Sequence, residues 1–156
     1  MSSASDVVIV AARRTPIGKL NGALGTVPAH LLGAAAIGAA LADAQLAADE
    51  VDETILGQVL TGGQGMNPAR QAAVAGGIPY EAPAMLVNQV CGSGLRAIAL
   101  AAQQIALGDA RIVVAGGQES MSGAPHVAAG RRGRPFGGLA LRATLAHDGL
   151  TDAFHG

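Results

Sequence analysis

Ala84-Met85-Leu86-Val87-Asn88-Gln89-Val90-Cys91-Gly92-Ser93-Gly94-Leu95-Arg96-Ala97 reads as a strand that turns directly into a helix. Ala84 to Val90 is largely apolar and suits a buried strand. Cys91 to Gly94 is a sharp turn. Leu95 to Leu107 is rich in helix formers and is closed by Gly108. This order puts Cys91 at a strand's carboxyl end, beside a helix N-terminus. Backbone N–H groups and the helix dipole favour negative charge at such a place, which suits a nucleophilic cysteine. Gly92 and Gly94 let an acyl group approach the backbone, and the same N–H groups suit an oxyanion formed in acyl transfer. A buried structural cysteine fits the local sequence as well. Gly92-Ser93-Gly94-Leu95-Arg96-Ala97 also matches the dinucleotide-binding G-x-G-x-x-A pattern. Here, however, it follows the third strand rather than the first, and no acidic residue ends the next strand.

Working outward, Val7 to Ala12 is a continuous, β-branched apolar run and predicts a strand buried on both faces. Arg13 to Pro28 is loop, punctuated by glycine and proline. Ala29 to Ala47 predicts a helix, and Asp49 to Glu53 a brief helix or turn. Thr54 to Leu60 is a second strand. Asn67-Pro68 marks a helix start, with Gly76-Gly77 past its end near Ala75. Arg111 to Ala115 is a fourth strand. Alternating strands and helices predict an α/β layered fold with a mainly parallel sheet, whose ligand sites lie at the strands' carboxyl ends. Residues 1–123 form this unit. After Gly123 the chain turns rich in Gly, Pro and Arg, and residues 124–156 read as the start of another module, with a short helix near Leu139 to Ala146.

Composition narrows the function. Half of the 156 residues are hydrophobic and 13% are charged, against about 25% charged in an average domain. That excludes intrinsic disorder and suggests surface covered by something else. The net charge of −1 gives no pull toward nucleic acid or an anionic membrane. The longest uncharged apolar run, Leu31 to Ala42, is too short to span a bilayer. A single cysteine excludes an internal disulfide, and no His/Cys/Asp/Glu set has metal-ligand spacing. A reducing, cytoplasmic compartment is expected.

Several stretches together resemble the thiolases, specifically acetyl-CoA acetyltransferases. Asn88-Gln89-Val90-Cys91-Gly92-Ser93-Gly94 resembles the family's nucleophile motif. Arg14-Thr15-Pro16-Ile17-Gly18 resembles its first loop, and Asn67-Pro68-Ala69-Arg70 its dimer-interface segment. Gly116-Gly117-Gln118-Glu119-Ser120-Met121-Ser122 resembles the strand end leading to its loop domain. Asp148-Gly149-Leu150-Thr151-Asp152 continues the likeness. This wording favours thiolases over ketoacyl synthases.

The resemblance implies a thiolase-like layered fold, N-terminal half only, with 124–156 as a partial loop domain. It implies that Cys91 carries an acyl group as a thioester during acetoacetyl-CoA formation or 3-ketoacyl-CoA thiolysis. Gly92, Gly94 and Asn88 would support the turn and the oxyanion, and Asn67 and Arg70 would lie at an interface. Coenzyme A thioesters would be substrates, with no separate cofactor, and the complete enzyme would be a homo-oligomer. The family's Asn-Glu-Ala-Phe, Gly-His-Pro and second Cys-Gly-Gly segments, which supply the proton-transfer groups, do not occur in this sequence. His30, His126, His147 and His155 are expected in surface or loop positions. The isolated chain is therefore expected to turn over little, with a non-catalytic fragment or binding module as the alternative. Glu119 and Ser120 are expected to fix a strand end, and Asn88 and Gln89 to hold the turn. Arg131, Arg132 and Arg134 suit CoA phosphates, a subunit interface or a solvated loop.

Overall fold

The computed structural model describes residues 6–130, 133, 136 and 138–155. Its elements in chain order are α1 (Ala29–Ala44), β1 (Glu53–Gly57), α2 (Pro68–Ala75), β2 (Ala84–Val87), α3 (Ser93–Leu107) and β3 (Val113–Gly117). Two short strands follow, β4 (His126–Val127) and β5 (Arg142–Ala143). The three long strands form a parallel sheet in the order β2-β1-β3. The step from β1 to β2 and the step from β2 to β3 run in opposite directions across the sheet. With right-handed crossovers, that puts α2 and α3 on opposite faces.

The period-2 alternation of β1 sorts the core. Leu56 faces α1 and α2 and packs with Ile37, Leu41, Ala72, Ala73 and Ile78. Ile55 faces α3 and packs with Ala97 and Ala101. Helix α1 lies against α2 through small residues: a Cβ on Gly76 would meet the Ile37 side chain at 2.8 Å. Asp52 joins the start of β1 to the approach to β3. Its carboxylate accepts from the Arg111 and Ile112 N–H groups at 2.7 and 2.9 Å. These bonds hold its pKa below the ordinary Asp range.

Several sequence expectations need correction. Val7 to Ala12 is not a buried strand. Val8, Ile9 and Val10 are 67%, 78% and 66% exposed, and the run belongs to no strand. β-branching favours extended backbone, but a ladder needs a neighbour to bond with, and no described strand pairs here. The other boundaries shift for local reasons. Helix α1 stops at Ala44 because Gln45 takes a left-handed conformation (φ 54°) and bonds back to the last turn. Asp49 to Glu53 divides into a 3-10 turn at Ala48–Glu50 and the first residue of β1. β1 ends at Gly57 rather than Leu60, because Val59 and Leu60 give their N–H groups to Glu119 instead of a strand. β2 ends at Val87, where Asn88 begins the turn. β3 begins at Val113 because Arg111 and Ile112 are bonded to Asp52. Helix α3 begins at Ser93, two residues earlier than expected. Near the carboxyl end, β5 and a π-helical turn at Leu145–Leu150 replace the expected helix at Leu139 to Ala146. There Thr144 bonds to Pro125 O through both its N–H and its hydroxyl.

Val90–Leu107 forms an 18-residue window long and apolar enough to cross a membrane by length and composition. Arg96 lies within this stretch. In the fold its Ala97 and Ala101 are buried against the sheet, while Leu95, Ile98 and Leu107 are exposed.

Candidate functional site

The carboxyl ends of β1 and β3 meet the N-terminus of α3 around an open cleft of about 440 Å³. Gly57 to Leu60 and Gly117 to Glu119 line it from the sheet. Val90, Cys91, Ser93 and Gly94 line it from the turn, and Leu145, Gly149 and Leu150 from the π-helical turn. Cys91 is exposed and unpaired. It stands just before Gly92, the N-cap of α3.

Glycine makes this junction possible. A Cβ on Gly57 would lie 2.4 Å from the Ser93 carbonyl carbon and 2.5 Å from the Gly94 nitrogen. A Cβ on Gly117 would lie 3.2 Å from Gly94 Cα. The first turn of α3 thus rests directly on the strand ends, where no side chain fits. Gly94 serves this backbone packing, at the edge of the cleft.

The turn itself is closed by hydrogen bonds. Gly92 N–H donates to Gln89 O and Ser93 N–H to Val90 O, both at 3.1 Å. The Asn88 carboxamide oxygen accepts from Val90 N–H at 3.0 Å. The Ser93 hydroxyl donates to Val90 O at 2.6 Å and accepts from Gln89 N–H at 2.8 Å. Gln89 takes part through its backbone groups. Val90 sits at φ +50°, a left-handed conformation that β-branched residues rarely adopt.

Two hydrogen-bonded features brace the cleft wall, the first without a sequence signal of its own and the second at the glutamate expected to fix a strand end. Gln118 Nε2 donates to Gln58 Oε1 at 2.8 Å and to Pro68 O at 3.2 Å. Gln58 in turn donates to Leu60 O and to Gln64 Oε1. Both Gln58 and Gln118 are buried, and together they tie both strand ends to the start of α2. Glu119 accepts from Val59 N–H at 2.8 Å and Leu60 N–H at 3.3 Å. Burial pushes its pKa up, while those backbone N–H groups pull it down. Among the described residues that line the cleft, Cys91 and Glu119 are the titratable groups. Among the described residues, no three His, Cys, Asp or Glu side chains form a metal site.

The remaining sequence candidates lie away from the cleft. The Asn67 side chain caps α2, accepting from Arg70 N–H at 3.2 Å and donating to Ala84 O at 2.8 Å. The Arg70 guanidinium donates to Tyr80 O and Ala82 O and lies 5.7 Å from the Tyr80 ring centroid. Ser120 is buried beside Glu119. None of the four histidines lines the cleft. His30 is half-buried in the first turn of α1 rather than on a loop, and His147 lies in the π-helical turn. Arg131, Arg132 and Arg134 fall outside the described residues.

Comparison with known proteins follows the same span. The family model for the thiolase N-terminal domain matches residues 7–156. Acetyl-CoA acetyltransferase of Rhizobium meliloti is 58% identical over 150 residues, which is 96% of this chain and 38% of the relative. Cytosolic acetyl-CoA acetyltransferase of Rattus norvegicus is 55% identical over 156 residues, 99% of this chain and 39% of the relative. Acetyl-CoA acetyltransferase of Shinella zoogloeoides is 56% identical over 149 residues, covering 96% and 38%. The chain therefore spans a little under two fifths of the length of these relatives.

Proposed function

Because this chain belongs to the thiolase N-terminal domain family, we propose that it supplies the nucleophile of an acyl-CoA acyltransferase. Cys91 attacks the thioester carbonyl of acetyl-CoA or another acyl-CoA. A bond forms from the Cys91 sulfur to the acyl carbon, the bond from that carbon to the CoA sulfur breaks, and the proton given up by the thiol ends on the departing CoA. In the complete enzyme a second acyl-CoA, deprotonated at its α-carbon, then takes the acyl group. The reverse direction cleaves a 3-ketoacyl-CoA.

The observation that carries this reading is the exposed Cys91 at the mouth of a cleft, just before the α3 N-cap and over the strand ends. The positive end of the α3 dipole favours negative charge on a tetrahedral intermediate, and Gly92 and Gly94 keep side chains off that path. Glu119, the other titratable group in the cleft, is engaged with two backbone N–H groups. Proton transfer at the α-carbon then falls to groups outside this chain. Activity thus divides, with acylation at Cys91 and condensation in the longer protein.

The same reading makes the complete protein a cytoplasmic homo-oligomer that needs only its CoA thioesters. The solvent-exposed Leu95, Ile98 and Leu107 of α3 suit cover by further protein, as an unpartnered apolar surface does. Exposed Met66 and Tyr80 flank the Asn67–Arg70 segment and suit an interface between copies. Residues 1–123 make the α/β unit, and 124–156 begin a second module.

Intact-mass spectrometry after exposure to acetyl-CoA tests the reading. An acetyl adduct is expected on the wild-type chain and not on Cys91→Ser. No adduct, or one that persists in Cys91→Ser, overturns it. Robust release of acetyl-CoA from acetoacetyl-CoA and CoA by the 156-residue chain alone would overturn the division of labour.

A further inference from the structure

Cys91 is placed by the backbone around it: among the described residues, no hydrogen bond reaches its sulfur. Its position therefore depends on the residue before it. Val90 holds φ +50°, which sets its branched Cβ against the backbone and is unfavourable unless neighbouring contacts impose it. Two side chains supply such contacts. Asn88 is exposed and bonds to Val90 N–H. Ser93 is buried, at 4% exposure. Its hydroxyl takes the Gln89 N–H on one side of Val90 and gives its proton to Val90 O on the other. A buried hydroxyl that spends both its donor and an acceptor on one turn specifies that turn strongly. Ser93 also lies directly on Gly57, so its hydroxyl cannot recede toward the sheet to release the turn.

We propose that Ser93 is the positioning residue of the Cys91 thiol: its hydroxyl clamps Val90 in the left-handed conformation that presents Cys91 to the cleft. The inference rests on Cys91 being the acyl acceptor. Substituting glycine for Val90 tests the clamp directly, because glycine adopts positive φ without help. In a Val90→Gly background the hydroxyl becomes dispensable for placement.

The experiment compares wild type, Ser93→Ala, Val90→Gly and the double variant. Acetylation of Cys91 by acetyl-CoA is measured against its alkylation by iodoacetamide, a probe that needs no defined approach. In wild type, NMR should show the strong Hα–HN contact within Val90 that a left-handed residue gives. Ser93→Ala should weaken that contact and lower the acetylation-to-alkylation ratio by about tenfold or more, as expected when a reacting group shifts out of place. The double variant should match Val90→Gly alone, and this comparison stands even if Ser93→Ala by itself fails to fold. Retention of the Val90 contact in Ser93→Ala overturns the proposal. So does an equal loss of acetylation from removing the hydroxyl in the wild-type and Val90→Gly backgrounds. Should the wild-type chain take no acetyl group, the acyl-acceptor reading falls, and the Val90 contact alone then decides whether Ser93 is the clamp.

Discussion

The two faces of β1 are built differently. On the Leu56 face, α1 supplies Ile37 and Leu41, α2 supplies Ala72 and Ala73, and Ile78 follows just past α2, in a broad buried cluster. On the Ile55 face, α3 supplies the buried Ala97 and Ala101 with Leu100 half-buried beside them, and its outer side leaves Leu95 and Leu107 in solvent. Burial scales with apolar area, so the first face holds most of the hydrophobic stabilisation. The second face holds Cys91. There the helix is located by backbone lying on backbone at Gly57, Gly94 and Gly117, which fixes position closely while burying little. Stability and placement are thus assigned to opposite sides of one strand.

The largest blow to this contrast should come from Gly57→Ala. Its new methyl would sit 2.4 Å from the Ser93 carbonyl carbon, and neither backbone can yield cheaply. A loss of about 3 kcal/mol is expected from such overpacking, measured by urea unfolding, together with loss of Cys91 acetylation. Equal stability in Gly57→Ala would show that α3 does not rest on the strand ends as described.

A pair of core truncations sharpens the comparison. Ile55→Ala and Ile78→Ala each remove a buried side chain and should each cost about 2–3 kcal/mol. They should differ at the site. With the remaining protein folded, Ile55→Ala should slow Cys91 acetylation because Ala97 and Ala101 of α3 pack on Ile55, while Ile78→Ala should leave the rate unchanged. Identical effects on acetylation would remove the distinction between the faces.

The smallest effect should come from Asp52, at the end of the central strand opposite the cleft. Its folded pKa lies below the ordinary value of 3.8 because of the Ile112 and Arg111 N–H groups. A carboxylate shifted down stabilises the fold fully above that ordinary value, and the contribution fades as pH falls through the lower folded value. Asp52→Asn should therefore lower the denaturation midpoint at neutral pH, and the gap from wild type should close in strong acid. A gap independent of pH would rule out the charge as its cause.

Much of this was legible along the chain. The strand–turn–helix around Cys91 and the asparagine cap with proline at the start of α2 are local events. Propensity and capping chemistry govern them within a few residues. The strand expected at Val7 to Ala12 shows where such reading stops. β-branched residues make the backbone extended, but a strand is a pairing, and its partner lies elsewhere in sequence. Gln58 and Gln118 show the same limit, since their bond joins residues sixty positions apart.

The sequence by itself determined the family, the layered α/β pattern and the single cysteine at a strand-to-helix turn, because each depends on neighbours along the chain. Only the tertiary structure decided that Gly57, Gly94 and Gly117 are contact points between backbones, that Glu119 braces the end of β1, and that Ser93 closes upon a strained Val90. Those roles depend on distances between separate elements, and such distances exist only once the sheet and α3 have packed together.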